Sequence, residues 1–349
     1  MHLIQQQINA MKGLLTDLQT FIQLHDFLKS MDSLELNEWI YRTEANNPWF
    51  TAENVKSSIA GIVELMEPKA LEKFYTSYTI SAPMKRVGVI MAGNIPAVGF
   101  HDLMCVLLSG NILYAKLSSE DSVLLKKIAE KLIEFNPSYS DRIFFVDQLK
   151  NMDAYIATGS DNSAKHFEYY FRNTPNIIRK NRTSVAVLSG NESEEALVQL
   201  GADVFDYFGL GCRNVSHVYL PTGYDPTTIL RAWEGSFNHL NNHHKFMNNY
   251  DYNKAILLID QVHHFDAGYV LLKESDAIFS QIATLTYSFY ESIEALAALF
   301  IQLKNQLQCI VSEKPNTLFK TVAFGEAQHP GIADFADGVD TMQFLTALV

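Results

Sequence analysis

From residue 86 onward the chain alternates short β-rich runs with amphipathic stretches at helical spacing, and no other feature restricts its fold as tightly. Val87 to Met91, Ile112 to Ala115, Ile143 to Val146 and Tyr155 to Thr158 are separated by helical segments, one of them near 121–135. Strands that alternate with helices pair in parallel, because each crossover helix must cover a face of the sheet. A second series starts at Thr183 to Ser189. Asn191 and Glu194 have capping-box spacing for a helix reaching about Phe208, and Val215 to Leu220 is the next expected strand. A helix from Asp225, with Pro226 in its first turn, leads into an irregular aromatic and amide-rich segment, Phe237 to Tyr252. Strands are then expected near 256–260, 268–273 and 284–289, a helix over about 292–307 and a strand from Cys309 to Ser312. Residues 1–75 instead carry helical spacing, with Leu14, Leu18, Phe21 and Ile22 on one face and Leu34, Leu36 and Trp39 later, so a helical lead-in is expected.

At 349 residues the chain exceeds one compact core and suggests two joined domains. The expected division is 1–180 for the lead-in and first sheet, 181–325 for the second, and 326–349 for a tail packing back on the body. Apolar residues make up 48%, a globular balance, but no apolar run is long enough to cross a bilayer. The first residues lack a basic segment followed by an apolar core, so the expected location is the cytoplasm. A net charge of -12 argues against nucleic acid as a partner, since binding it requires a basic face. Cys105, Cys212 and Cys309 are too few and too far apart for a disulfide framework or zinc spacing. His239 and His243 stand four apart, with His244, His263 and His264 nearby, yet no carboxylate or further ligand completes a metal signature, and none is expected.

Cys212 lies in Asp206-Tyr-Phe-Gly-Leu-Gly-Cys-Arg-Asn-Val-Ser216, where Gly209 and Gly211 leave a thiol open to approach between a helix and a strand. A helix end, nearby backbone N–H groups and the cation Arg213 all favour the reactive thiolate. Taken alone, the segment fits a small buried hydrophobe equally well.

Upstream, Ile80 to Gly99 contains Gly93-Asn-Ile-Pro96, and Leu107 to Glu120 contains Asn111-Ile-Leu-Tyr-Ala-Lys116-Leu-Ser-Ser-Glu120. With Cys212 these segments resemble the aldehyde dehydrogenase superfamily, in whose order they occur. Within it the chain is most similar to the LuxC-like acyl-CoA reductases, through Phe208 to Ser216, Asn248 to Lys254 and the tail from Phe324 to Asp340. The resemblance implies an α/β, aldehyde-dehydrogenase-like fold of two Rossmann-like lobes with parallel-rich sheets, although no G-x-G-x-x-G follows any strand. It assigns Cys212 as the nucleophile and Asn94 as the oxyanion donor, although Asn94 also suits a turn. Lys116, Ser118 and Ser119 would contact the cofactor ribose, and Gly159 and Ser160, at a strand-to-helix joint, the diphosphate.

Two departures bear on mechanism. Where hydrolytic relatives carry a water-activating glutamate, this chain reads Ile178-Arg-Lys-Asn-Arg182, and Ala277 replaces the glutamate that holds the nicotinamide ribose, with Glu274 and Asp276 nearby. Ser119 stands where a glutamate would exclude a 2'-phosphate, which favours NADP over NAD, although Glu120 is one place on. His101 is a further candidate proton donor, or a packing residue. The reading implied is reduction of an acyl-CoA, of fatty type, to the aldehyde with NADPH through a Cys212 thioester, in a homo-oligomer. The alternatives are a reductase acting on an acyl phosphate or an aldehyde, or a non-catalytic acyl-binding or acyl-transfer protein.

Overall fold

The fold comes from a computed structural model that describes residues 2–80 and 84–348, with side chains from residue 16 onward. The Leu14 side chain and Ser81, Ala82 and Pro83 lie outside the described residues. The chain divides into two compact units, Met1–Asn181 with Pro330–Val349, and Arg182–His329.

The first unit opens with four helices, α1 (His2–Lys29), α2 (Ser33–Asn46), α3 (Ala52–Leu65) and α4 (Pro68–Thr76). Asp32, Thr51 and Glu67 cap α2 to α4 by accepting backbone N–H groups of the first turn. Phe21, Leu24 and Leu28 of α1 and Trp39 of α2 are buried, whereas Leu34 of α2 is exposed. There follow β1 (Arg86–Ile90), α5 (Phe100–Leu108), β2 (Ile112–Lys116), α6 (Leu124–Phe135), β3 (Ile143–Phe145), β4 (Ala154–Thr158), α7 (Asp161–Phe171) and β5 (Asn176–Arg179). All pairings in this sheet are parallel, in the order β3-β2-β1-β4-β5. α5 is apolar nearly all round and packs against β1 and β2. The helix expected near 121 begins at Leu124, because Ser119–Asp121 form a 3-10 turn. The sequence pattern did not single out β5, only four residues long after Pro175.

The second unit contains β6 (Thr183–Val187), α8 (Glu194–Phe205), β7 (Val215–Pro221), α9 (Thr227–Ala232), α10 (His244–Ile259), β8 (Phe265–Asp266), β9 (Leu271–Glu274), β10 (Thr284–Tyr290), α11 (Ile293–Leu303) and β11 (Leu307–Val311). Its strand order is β11-β6-β7-β10-β9-β8, parallel except for the edge strand β8. The structure corrects three expectations. Ser193 rather than Asn191 caps α8, while Glu192 accepts from the Ser189 and Gly190 N–H groups outside the helix. α8 stops at Phe205, because Tyr207 and Phe208 take left-handed backbone angles. The strand expected at 256–260 is the last turn of α10, and the segment thought irregular supplies the first part of that helix, from His244 to Tyr252. Of its apolar run only Leu257 is buried; Leu258 and Ile259 face out, a pattern a short run cannot reveal.

The last helix, α12 (Thr341–Thr346), packs on α5 within the first unit. Arg179 holds Asp102 of α5 through two hydrogen bonds of 2.6 and 2.9 Å and also donates to the Thr341 hydroxyl, tying β5, α5 and α12 together.

Candidate functional site

In the second unit, the nucleophile segment is built around a strained turn. Tyr207, Phe208 and Gly209 follow one another with φ of 51°, 59° and 75°, an uncommon run for which only the glycine is suited. Strain of this kind persists where its surroundings over-determine it. Phe208 is buried between the His243 ring, stacked at 4.1 Å, and Phe246 of α10. The buried Asn214 amide donates to the Asp203 and Asp206 carbonyls at 3.1 and 2.8 Å, closing the C-terminal end of α8. Its oxygen accepts the Gly211 N–H at 2.8 Å. Cys212 therefore sits on a short arch fixed at both feet, and its side chain is exposed.

Two further contacts hold the arch from below. Ser184 of β6 donates to the Cys212 carbonyl at 3.1 Å and lies 3.0 Å from the Cys309 sulfur. Arg213 gives its Nε–H to the Ala327 carbonyl at 2.7 Å, so the cation beside the thiol also anchors a neighbouring loop. The buried Asp203 accepts the N–H groups of Gly325 and Ala327 from the same loop, and burial raises its pKa to about 6. Within β7, His217 bonds Thr286 and Ser288 of the neighbouring β10, and burial pushes its pKa down to about 4, which keeps the ring neutral.

In the first unit, three expected site segments leave the carboxyl ends of adjacent parallel strands: Asn94 after β1, Lys116 to Ser119 after β2, and Gly159-Ser160 after β4. The chain runs from β1 outward to β2 and β3 and then crosses back to β4, so the strand order reverses between β1 and β4. Ligands of open α/β sheets bind in the crevice at such a switch point. Asn94 and Gly159 flank it. Asn94, Lys116, Ser119 and Ser160 are exposed, whereas Ser118 caps the 3-10 turn by accepting the Glu120 N–H. Ser160 caps α7 and accepts the Ser163 N–H, so the helix presents its positive end beside Gly159. A Cβ on Gly93 would lie 2.5 Å from the Ser118 Cβ, so only glycine lets the Asn94 turn and the β2 loop meet.

Of the two readings of His101, proton donor or packing residue, its contacts favour packing. Its Nε2 lies 2.9 Å from the Ile332 carbonyl, its Nδ1 faces the Cys105 sulfur at 3.7 Å, and burial lowers its pKa. Ala277 sits on a turn whose carbonyl accepts from Thr286, with Glu274 and Asp276 exposed on either side of Ser275. Among the described residues no three His, Cys, Asp or Glu side chains are grouped to hold a metal, and no helix is long and apolar enough to cross a membrane. His243 caps α10 with its Nδ1 and His264 bonds the Val262 carbonyl.

The sequence pattern that defines the acyl-CoA reductase (LuxC) family matches residues 21–226, more than half of the chain and every candidate site residue. The chain belongs to the LuxC acyl-CoA reductase family. Its fold is similar to that of solved aldehyde dehydrogenases. One is the Mycobacterium tuberculosis enzyme complexed with NAD+, at 13% identity over 88% of this chain and 76% of that one, with a TM-score of 0.64. Others are KauB from Pseudomonas aeruginosa (14%, 89% and 75%, 0.60) and the NAD-dependent enzyme from Sinorhizobium meliloti (11%, 87% and 71%, 0.62). No curated protein matches significantly. Membership of the LuxC family and the aldehyde dehydrogenase fold mark an oxidoreductase of the acyl-CoA and aldehyde type.

Sequence reasoning missed the residues that brace the Cys212 segment of this LuxC-family chain: Asn214, Asp203 and Ser184. Asn214 stands two residues after Cys212 and is the one a local signal could have found, since Asn bonds nearby backbone readily. Ser184 and Asp203 reach partners 28 and 122 to 124 residues away, which no spacing rule anticipates.

Proposed function

We propose that this LuxC-family protein reduces an acyl-CoA, of fatty type, to the aldehyde, through a thioester on Cys212 and with NADPH as reductant. The observation that carries the reading is the exposed Cys212 thiol on an arch fixed by Asn214 and Ser184. A thiol held in place by backbone bonds and open to solvent is arranged for attack rather than for packing. The Cys212 sulfur attacks the thioester carbonyl carbon, the electron pair moves onto oxygen, and collapse expels coenzyme A as its thiolate, which takes up a proton. The Asn94 amide and the Cys212 backbone N–H are assigned as donors to that oxygen, each worth roughly 3 to 4 kcal/mol when well placed. Donors fixed in advance act as charge develops.

The first unit suits a dinucleotide. The crevice at the switch point, the close approach permitted by Gly93 and the exposed start of α7 form a surface that backbone groups can present to a diphosphate. Lys116, Ser118 and Ser119 would hold the adenine ribose and its 2'-phosphate, and Gly159 and Ser160 the diphosphate. When bound, NADPH supplies the hydride that releases the acyl group as aldehyde and returns Cys212 to the thiol. With Arg179 buried against Asp102 and Lys180 paired with Glu168, the 178–182 segment offers no carboxylate to activate water. The thioester therefore waits for hydride instead of hydrolysing. The expected setting is a cytoplasmic homo-oligomer acting on acyl-CoA.

The test is a panel of acyl-CoA esters with NADPH, followed by absorbance loss and by aldehyde trapping. Acyl-CoA-dependent oxidation with aldehyde formed in equal amount is expected. Turnover of acyl phosphates or free aldehydes alone, or thiol acylation without NADPH oxidation, would contradict it.

A further inference from the structure

The strand β6, which bonds the Cys212 arch, is irregular on both of its edges at a single residue. Along β6 and β11, Leu307 pairs with Thr183 and Ile310 with Val185, so Gln308 and Cys309 together face Ser184. Along β6 and β7, Ser184 pairs with Val215 and Val185 with His217, so Ser216 is the extra residue on the other side. Bulges of this kind re-aim side chains and gather next to active sites. The two slips meet at Ser184, which is fully buried.

Chemistry fixes the roles of the Ser184 hydroxyl. A carbonyl only accepts and an N–H only donates, so Ser184 gives its one proton to the Cys212 carbonyl at 3.1 Å and accepts the Cys309 N–H at 3.2 Å. The Cys309 sulfur, 3.0 Å away, then stands as a second donor. One buried oxygen thus connects β11 to the peptide that follows Cys212. The direction of a side chain is set by the two peptide planes that meet at its Cα, and at Cys212 both are held. In the plane before it the Gly211 carbonyl accepts the Asn214 backbone N–H at 3.1 Å, and in the plane after it the Cys212 carbonyl accepts the Ser184 hydroxyl. The Ser184 N–H also donates to the Asn214 carbonyl at 3.2 Å, so one strand residue grips the turn twice.

We propose that Ser184 is a positioning residue: by holding the peptide plane after Cys212 it restrains the backbone angles there and aims the thiol at the acyl carbon. The inference rests on the nucleophilic role given above to Cys212. It also gives the double bulge of β6 a part in the chemistry.

The test compares two reactions of the same thiol: acylation by an acyl-CoA without nicotinamide, followed by quenched-flow intact mass, and alkylation of Cys212 by iodoacetamide. Attack on a bound thioester depends on aim, and a misplacement of about 1 Å can cost about 100-fold, whereas a small reagent free in solution meets an exposed thiol from many directions. Ser184→Ala should slow acylation by about 10-fold or more while alkylation stays within about 3-fold of wild type. Ser184→Thr, which keeps the hydroxyl, should restore acylation to within about 3-fold of wild type. Cys309→Ala, which leaves the bond from Ser184 to the Cys212 carbonyl in place, should acylate at the wild-type rate. Wild-type acylation in Ser184→Ala, or equal losses in the two reactions, overturns the inference alone. An acyl adduct that remains in Cys212→Ser overturns the reading beneath it. If Ser184→Ala does not fold, Ser184→Val and Ser184→Thr, alike in bulk and different in the hydroxyl, are compared under the same criteria.

Discussion

The proposed preference for NADPH rests on one side chain, Ser119. It is exposed at the start of the 3-10 turn after β2, and its carbonyl accepts the Asn46 amide of α2, so its backbone is held while its hydroxyl remains open. A hydroxyl beside the exposed Lys116 accommodates a phosphate that a carboxylate would repel. Ser119→Glu should therefore weaken NADPH binding by roughly 10-fold or more while sparing NADH, as charge-assisted bonds to phosphate contribute about 1.5 to 3 kcal/mol. Titration of both cofactors by fluorescence checks this, and equal losses would show that Glu120 reads the ribose instead. The sequence names Ser119, Lys116, Asn94 and Cys212 because each occupies a fixed place in a short contiguous pattern.

Elements were legible where burial on both sides enforced a pattern. β1, β2, β4, β6, β7 and β10 lie inside their sheets with a parallel neighbour on each side, and their β-rich composition marked them to within a residue or two. The 256–260 segment misled because Ile256, Leu258 and Ile259 are apolar yet exposed, so composition imitated a strand that packing does not support. The end of α8 misled for a different reason. Tyr207 and Phe208 suit a helix by type, and only the bonds from Asn214 to the helix carbonyls reveal that the chain turns left-handed there. The junction of the β1 turn and the β2 loop is equally specific. Gly93→Ala places a methyl 2.5 Å from the Ser118 Cβ and 2.6 Å from its Oγ, so one element must move. Overpacking of this kind costs about 1 to 3 kcal/mol, and isothermal titration should show NADPH binding weakened by roughly 10-fold. Unchanged affinity would place the cofactor elsewhere.

At the scale of the molecule, each of the two units has its own sheet and its own core, and the last twenty residues, Pro330–Val349, belong to the first. Arg179, paired with the buried Asp102 of α5, also donates to the Thr341 hydroxyl and so ties that tail to β5 and α5. The alternation of strand and helix was enough to indicate two parallel sheets. The polar bracing beneath Cys212 was not legible, since Ser184, Asp203 and the 325–327 loop come together only in the folded chain. The account as a whole turns on whether that braced thiol is the acyl acceptor. Intact-mass measurement of the protein after incubation with an acyl-CoA, in the absence of any nicotinamide, decides it. A single acyl adduct is predicted that persists in Cys105→Ser and Cys309→Ser and disappears in Cys212→Ser, whereas an adduct that remains in Cys212→Ser would contradict the account.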